Sequence, residues 1–296
     1  MKVTLLGSSG TIGRAVLREL RLAGHTVTAP SRREIAGCDF TGQDAVISCI
    51  ASRTGAPADA WNVDYETNAD MLSKAQRAGV AHFVLLSAIC VERPRLAFQY
   101  AKRAFEEALA ASGLTYSIVR PTAFFKSLSG QIERVRAGKP FLVFGNGRLT
   151  SCKPISDRDL ARFLVSCLTD SEKHNAILPI GGPGPALTPL DQAKLLGEAL
   201  GMSVTTRSVP PGVLAVLAKV MGLPGKLPFV FTPRLNEKAA LARIGHYYAT
   251  HSMLVWTGTD YDAGLTPEYG TDTLAAHYRA LARGDLIDDR GAHAVF

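Results

Sequence analysis

The stretch GSSGTIG, Gly7 to Gly13, limits what this chain can fold into more than any other. It follows a short apolar run, Lys2 to Leu6. It opens a segment, Thr11 to Leu22, in which Ile12, Val16 and Leu20 recur at helical spacing until Gly24 ends it. Strand, glycine-rich turn and helix, in that order, is the context in which such a motif holds a dinucleotide. One glycine lets the chain turn sharply off the strand, a second lets backbone N–H groups approach a pyrophosphate, and a third lets helix and strand pack closely. The helix start contributes orphan N–H donors and a partial positive charge. Gly7, Ser8, Ser9, Gly10, Thr11, Ile12 and Gly13 are therefore the candidate phosphate cradle. Away from a strand and a helix, the same glycine spacing would describe an ordinary turn.

The alternation continues. His25 to Ala29, Ala45 to Ile50, His82 to Ser87 and Thr115 to Arg120 read as strands, with helical stretches between them that include Phe98 to Ala111. Such a pattern predicts an α/β fold, a Rossmann-type doubly wound parallel sheet with helices on both faces. After Pro121 it loosens, with helices expected at Ser127 to Ala137, Asp157 to Thr169 and Pro189 to Leu200, and strands at Pro140 to Phe144 and Ala176 to Ile180. The expected division is a dinucleotide-binding domain over residues 1–185, whose segments after 121 contribute in part to the substrate cleft, and a smaller C-terminal substrate-binding subdomain over 186–296. Pro210 to Pro233, rich in proline, glycine and bulky apolar residues, is expected at a substrate cleft or lid, and GDLIDDRGAHAVF at the end as a loosely held tail.

After the second strand come Ser31, Arg32 and Arg33, where an NAD-selective protein usually places an acid for the ribose 2'-hydroxyl. Two guanidinium groups there suit a 2'-phosphate, and charge-assisted bonds of about 1.5–3 kcal/mol each would give a tenfold or larger preference for NADPH.

With 296 residues, 47% of them hydrophobic, the chain is long enough to bury roughly 75% of its unfolded surface. The net charge of +7 favours anionic ligands, but the basic residues are scattered, and none forms a nucleic-acid motif. The longest apolar stretch, Val213 to Leu223, carries Lys219 and is too short to span a membrane. Five cysteines without a CxxC pair suggest buried thiols in a reducing compartment rather than disulfides or a metal site. The first strand begins at Lys2, so no targeting segment is expected, and a cytoplasmic location is.

Beyond the glycine turn, the blocks LLSAICV, FQYAKRAFEEAL, TYSIVRPTAFFKSLSGQ, FGNGRLTSCKPIS, ILPIGGPGPALTP, HYYATHSML and LTPEYGTDTL run through most of the chain. Together they resemble the divinyl chlorophyllide a 8-vinyl-reductases of chlorophyll and bacteriochlorophyll synthesis, atypical short-chain reductases close to the NmrA and isoflavone-reductase group. The GxxGxxG spacing is also that of short-chain and extended reductases. The resemblance implies NADPH-dependent reduction of an 8-vinyl group on divinyl chlorophyllide or protochlorophyllide to ethyl. Another route to that product uses iron–sulfur clusters, whose clustered cysteines this chain lacks. A vinyl group conjugated to a macrocycle accepts hydride at its terminal carbon, and a proton must then reach the inner one.

By the same resemblance Lys102 is the first candidate catalytic residue, because short-chain reductases carry Tyr-x-x-x-Lys on the helix after the fourth strand. Here the tyrosine position is Phe98, so the motif is broken. Tyr100 is kept as a candidate, but two residues' separation turns it away from Lys102 on a helix and makes it a poor substitute for the missing acid. Ser87 and Ala88 end a strand at the carboxyl edge where such folds bind ligands. Pro121, Thr122, Ala123 and Phe124 follow the next strand, where the resemblance implies nicotinamide contacts. Phe125, Lys126 and Lys153 are candidate substrate contacts, the lysines for a propionate, with core or surface roles as the alternatives. His246 and His251, beside Tyr247 and Tyr248, are either structural or axial ligands to the pigment magnesium. Relatives also include NADP-binding redox sensors without turnover and reductases of small phenolics, and fold alone does not separate them. Basic and apolar surface is also compatible with peripheral contact with a photosynthetic membrane.

Overall fold

The computed structural model describes residues 1–222 and 233–286. In chain order the elements are β1 (Lys2–Leu6), α1 (Thr11–Leu22), β2 (Thr26–Thr28), β3 (Ala45–Ser48), α2 (Pro57–Ala60) running into a π-helical turn (Trp61–Thr67), α3 (Asn68–Arg77), β4 (His82–Leu86), α4 (Ala97–Ala110), β5 (Thr115–Pro121), α5 (Ile132–Arg136) and β6 (Phe141–Phe144). Then come α6 (Asp157–Ser166), β7 (Ala176–Ile180), α7 (Pro189–Leu200), β8 (Thr206–Val209), α8 (Gly212–Gly222), α9 (Pro233–Thr250), β9 (Val255–Trp256), β10 (Tyr261–Asp262) and α10 (Leu274–Arg283).

One compact unit comprises Met1–Ser52, Pro57–Pro121 and Asp157–Ile180. Its strands lie in the order β2-β1-β3-β4-β5-β7, every neighbouring pair parallel, which is the Rossmann-like sheet. The central strands β3 (AVIS) and β4 (HFVLL) are buried at every position, as expected for strands covered on both faces. The short β2 is exposed at one edge, and β7 carries Pro179 at the other, where a missing N–H costs no ladder bond. Ile12, Ala15, Val16 and Leu20 form the buried stripe of α1, which packs against α6. On another part of the unit Phe40, Met71, Phe83, Phe105 and Ile118 share a core. The chain leaves β1 for β2 on one side and returns to β3 on the other, so the order reverses beside β1, the position at which open α/β sheets bind ligands.

The other unit comprises Arg53–Ala56, Thr122–Ser156 and the described residues from Gly181 onward. Ile180 is the last residue of the first unit, and Thr122–Ser156 groups with the second. Here β6 and β8 pair in parallel, α7 packs on α10, and Phe125, Ile132, Phe141, Leu196 and Tyr278 share a core. Thr188 caps α7 in a reciprocal box with Asp191, with Pro189 at the first turn, as the sequence pattern demands.

The helix expected over Ser127 to Ala137 is broken. A 3-10 turn, Phe125–Leu128, precedes the short α5, because the Ser129 hydroxyl donates to the Phe125 carbonyl at 3.0 Å and Gly130 follows. Part of the segment read as a cleft or lid is the helix α8, packed on α9, while its residues 223–232 lie outside the described residues. So do residues 287–296 of the expected tail. Helix α9 was not foreseen, because its apolar residues do not gather on one face.

His82 on β4 is buried against the Ser117 hydroxyl (3.0 Å) and the His174 ring (4.6 Å between centroids). Burial, with the neighbouring His174 adding to it, pushes its imidazole down to about 4. Since the ordinary value is near 6.5, the unfolded chain binds a proton between those two values and the folded chain does not. Stability is therefore full above about pH 6.5 and falls as pH drops through that window. We expect Tm to fall by roughly 3 °C more between pH 7 and pH 5 in the wild type than in His82→Gln, read by thermal melts. Parallel pH dependences would contradict this.

Candidate active site

The glycine turn sits at the reversal of strand order. Gly7 has φ +77°, and a Cβ there would lie 2.8 Å from the Cys49 carbonyl carbon and oxygen. A Cβ on Gly13 would fall 2.1 Å from the Gly7 carbonyl oxygen. Both glycines are thus required by close backbone approach, one to the neighbouring strand and one within the turn itself. Gly10, with φ −71°, would meet only Gly7 O, at 3.4 Å. Its N–H is bonded back to Gly7 O at 3.1 Å, closing the turn. Gly10 is also the N-cap of α1, which has no side-chain cap and no acid in its first turn. Such a helix start leaves donors and positive potential for an anion. The residues present therefore fit a dinucleotide pyrophosphate.

Arg32 and Arg33 are exposed in the turn after β2. The loop does hold an acid, Glu34, which the sequence reading passed over. Its carboxylate accepts the Ser31 N–H at 2.8 Å, and that bond lowers its pKa below the usual carboxylate value. Glu34 is thus turned back to brace the loop.

Lys102 is on the buried face of α4, with its ammonium 3.0 Å from Asp64 Oδ1. Asp64 is fully buried on the π-helical turn and also accepts the Ser52 N–H at 3.2 Å. Tyr100 stands half-exposed on the solvent side of the same helix, so two residues of rotation keep it from Lys102 and it is not brought to the site.

Ser87, at the carboxyl end of β4, is buried and gives its hydroxyl hydrogen to Glu106 Oε1. Ala88, beside it, is extended and partly buried. Glu106 is forked by the Arg120 guanidinium, and Arg120 Nη1 lies 3.6 Å from Glu92. This buried network behind Ser87 was missed. Its signals were a glutamate four residues after Lys102 on an apolar helix face and an arginine ending an apolar strand. Bidentate pairing makes it a rigid support. Pro121 closes β5, paired with Ile180.

In the second unit Thr122 donates its hydroxyl to the Lys153 carbonyl, Ala123 is buried, and Phe124 forms a bridge with Ile155. Phe125, expected at the substrate, is instead a core residue, 4% exposed and 5.4 Å from the His277 ring. Lys126 is partly buried. Lys153, expected to meet a carboxylate, meets one of the chain's own. Its buried ammonium is 2.6 Å from Glu268 Oε1, and this bond, with the Gly184 N–H, holds the Glu268 carboxyl below its ordinary pKa. A substrate acid would have to displace that partner, so the structure favours a clamp between the two chain segments. His251 stacks on Tyr247 at 4.4 Å, with Nδ1 2.9 Å from the Thr250 hydroxyl, which gives it a structural place. His246, partly buried on α9, contributes its backbone carbonyl to the Thr250 hydroxyl.

A family model described as NAD(P)H-binding matches residues 38–171. Proteins named divinyl chlorophyllide a 8-vinyl-reductase, chloroplastic, from Cucumis sativus and Oryza sativa subsp. indica are each 41% identical to this chain, covering 99% of it and 79% and 82% of their own lengths. The chain belongs to the divinyl chlorophyllide a 8-vinyl-reductase family. The human epimerase family protein SDR39U1 with NADPH superposes with a TM-score of 0.67 at 19% identity, covering 96% of this chain and 99% of that one, a likeness of fold. For this 8-vinyl-reductase family member the NAD(P)H-binding match accords with the Rossmann-like sheet, and Lys102, four residues after Phe98, is paired with Asp64.

Proposed function

We propose that this chain is an oxidoreductase that uses NADPH to reduce the 8-vinyl group of divinyl chlorophyllide a, or of its protochlorophyllide precursor, to ethyl. The observation that carries the reading is 41% identity with an 8-vinyl-reductase over nearly the whole chain, together with a sterically intact phosphate cradle at the sheet's switch point. When bound, NADPH supplies a hydride. The chain's own residues must hold the pyrophosphate, exclude water and deliver a proton to the inner vinyl carbon. Gly7 to Gly13 hold the phosphates. Ser87, whose hydroxyl hydrogen is committed to Glu106, offers only an acceptor oxygen, so it positions and does not protonate. Lys102, with Phe98 in the tyrosine position, is the residue assigned to the reacting end. Lys126 is assigned to the pigment propionate, and the second unit to substrate binding.

The test is absorption. Purified protein with NADPH and divinyl chlorophyllide should move the Soret band to shorter wavelength as conjugation shrinks. Binding of nucleotide without that shift would favour a redox sensor instead.

Arg32 and Arg33 are assigned to the 2'-phosphate. Steady-state kinetics on the double Arg32→Ala, Arg33→Ala variant should show KM for NADPH rising at least about tenfold while KM for NADH stays within about twofold. Equal increases would remove the basis for NADPH preference.

No helix among the described residues is long and apolar enough to cross a membrane. Val213, Val216, Leu217 and Val220, however, form an exposed apolar row along α8. We assign this row to peripheral contact with the photosynthetic membrane, where a greasy substrate accumulates. Flotation with anionic liposomes should carry the wild type upward and leave Leu217→Glu behind. Equal flotation would exclude the row.

A further inference from the structure

We propose that Asp64 is a positioning residue of this reductase, a buried carboxylate on a π-helical turn that holds the Lys102 ammonium in its working place. The proposal rests on the reading that Lys102 touches nucleotide or substrate.

The turn is built to carry Asp64. The wider π winding over Trp61–Thr67 needs partners for its carbonyls, and side chains supply them. The Thr67 hydroxyl donates to the Asn62 carbonyl at 2.8 Å, and the Asn68 amide donates to the Val63 and Asp64 carbonyls at 3.2 Å each. Asn68 is itself fixed by the Ser48 hydroxyl, which donates to its Oδ1 at 2.6 Å from the last residue of β3. The irregular turn is thereby pinned to the sheet end beside the glycine cradle. Single π turns inside helices recur at functional sites.

The carboxylate is also under-used as a structural group. Asp64 Oδ1 takes the Ser52 N–H and the Lys102 ammonium, while the buried Oδ2 accepts no hydrogen bond. A fully buried carboxylate with one bare oxygen destabilises a fold, and an apolar pair would fill the space at lower cost. Lys102 in turn has Asp64 as its ion-pair partner, and its side chain is 11% exposed. Its ammonium carries three donors, so two remain for a ligand. Asp64 removes the rotational freedom of a long side chain and keeps a counter-charge beside it.

A double-mutant cycle on the full chain tests this: Asp64→Asn, Lys102→Met and both together, with kcat and KM on divinyl chlorophyllide and NADPH affinity from its fluorescence. In the Lys102 background Asp64→Asn should lower kcat at least about tenfold with KM changed less than about threefold. In the Lys102→Met background the same substitution should change kcat by less than about twofold, because Asp64 acts through the lysine. Equal losses in both backgrounds would show a merely structural residue and overturn the proposal. Loss on Lys102→Met with no effect of Asp64→Asn would overturn the proposal alone. Wild-type behaviour of Lys102→Met would overturn the underlying reading as well. If Asp64→Asn alone fails to fold, Asp64→Leu with Lys102→Met replaces the pair by apolar groups, and kcat equal to that of folded Lys102→Met would support the proposal, a further tenfold loss contradicting it.

Discussion

Gly13→Ala should bind NADPH at least about 100-fold more weakly than the wild type, on the order of 2.7 kcal/mol, while remaining folded. The added Cβ would fall 2.1 Å from the Gly7 carbonyl oxygen and 2.9 Å from Ser8 Cα, so the turn must move away from the helix start. Overpacking of this kind costs roughly 1–3 kcal/mol of stability, and each misplaced charge-assisted N–H contact about 1.5–3 kcal/mol of affinity. Gly10→Ala is the control. Its Cβ meets nothing closer than 3.4 Å and its φ is ordinary, so it should melt within about 1 °C of the wild type. Titration of NADPH fluorescence together with thermal melts checks both. Unchanged affinity in a folded Gly13→Ala protein would place the nucleotide elsewhere.

Replacing Lys102 by Met should lower kcat by roughly 10²- to 10⁴-fold, the range expected when a positioned proton donor or charge is removed. The change also strands the buried Asp64 carboxylate without its cation. Breaking such a pair costs about 3–5 kcal/mol, so Tm should fall too, and the companion Asp64→Asn substitution should restore part of it. Kinetics on samples shown to be folded separate the two effects. A folded Lys102→Met enzyme with wild-type kcat would exclude the lysine from the reaction.

What the sequence makes legible follows from the physics of each signal. The sheet and the glycine turn are legible, because Lys2 to Leu6 is an unbroken apolar run and the close approaches at Gly7 and Gly13 admit only glycine. Strands β3 and β4, buried on both faces, could be read as apolar runs for the same reason. Helix α9 could not, since its apolar residues form no stripe, and Ser129 with Gly130 broke a helix whose hydrophobic spacing was sound. Lys102 was found through a motif, but Asp64 lies 38 positions earlier on a π turn whose winding no periodicity announces. Glu106 and Arg120 were hidden in the same way, as charges whose partners adjoin only once strand and helix pack. Phe125 and Lys153 show the converse: residue types suited to a ligand whose contacts are supplied by the chain itself.

The two hydrogens added to the vinyl group must have different origins, one the nicotinamide and the other water. With NADPH deuterated at both C4 positions, in ordinary water, mass spectrometry of the product should find one deuterium, located in the new 8-ethyl group. An ethyl product carrying no deuterium, or a pigment left unreduced by folded, NADPH-saturated protein, would contradict the proposed reduction.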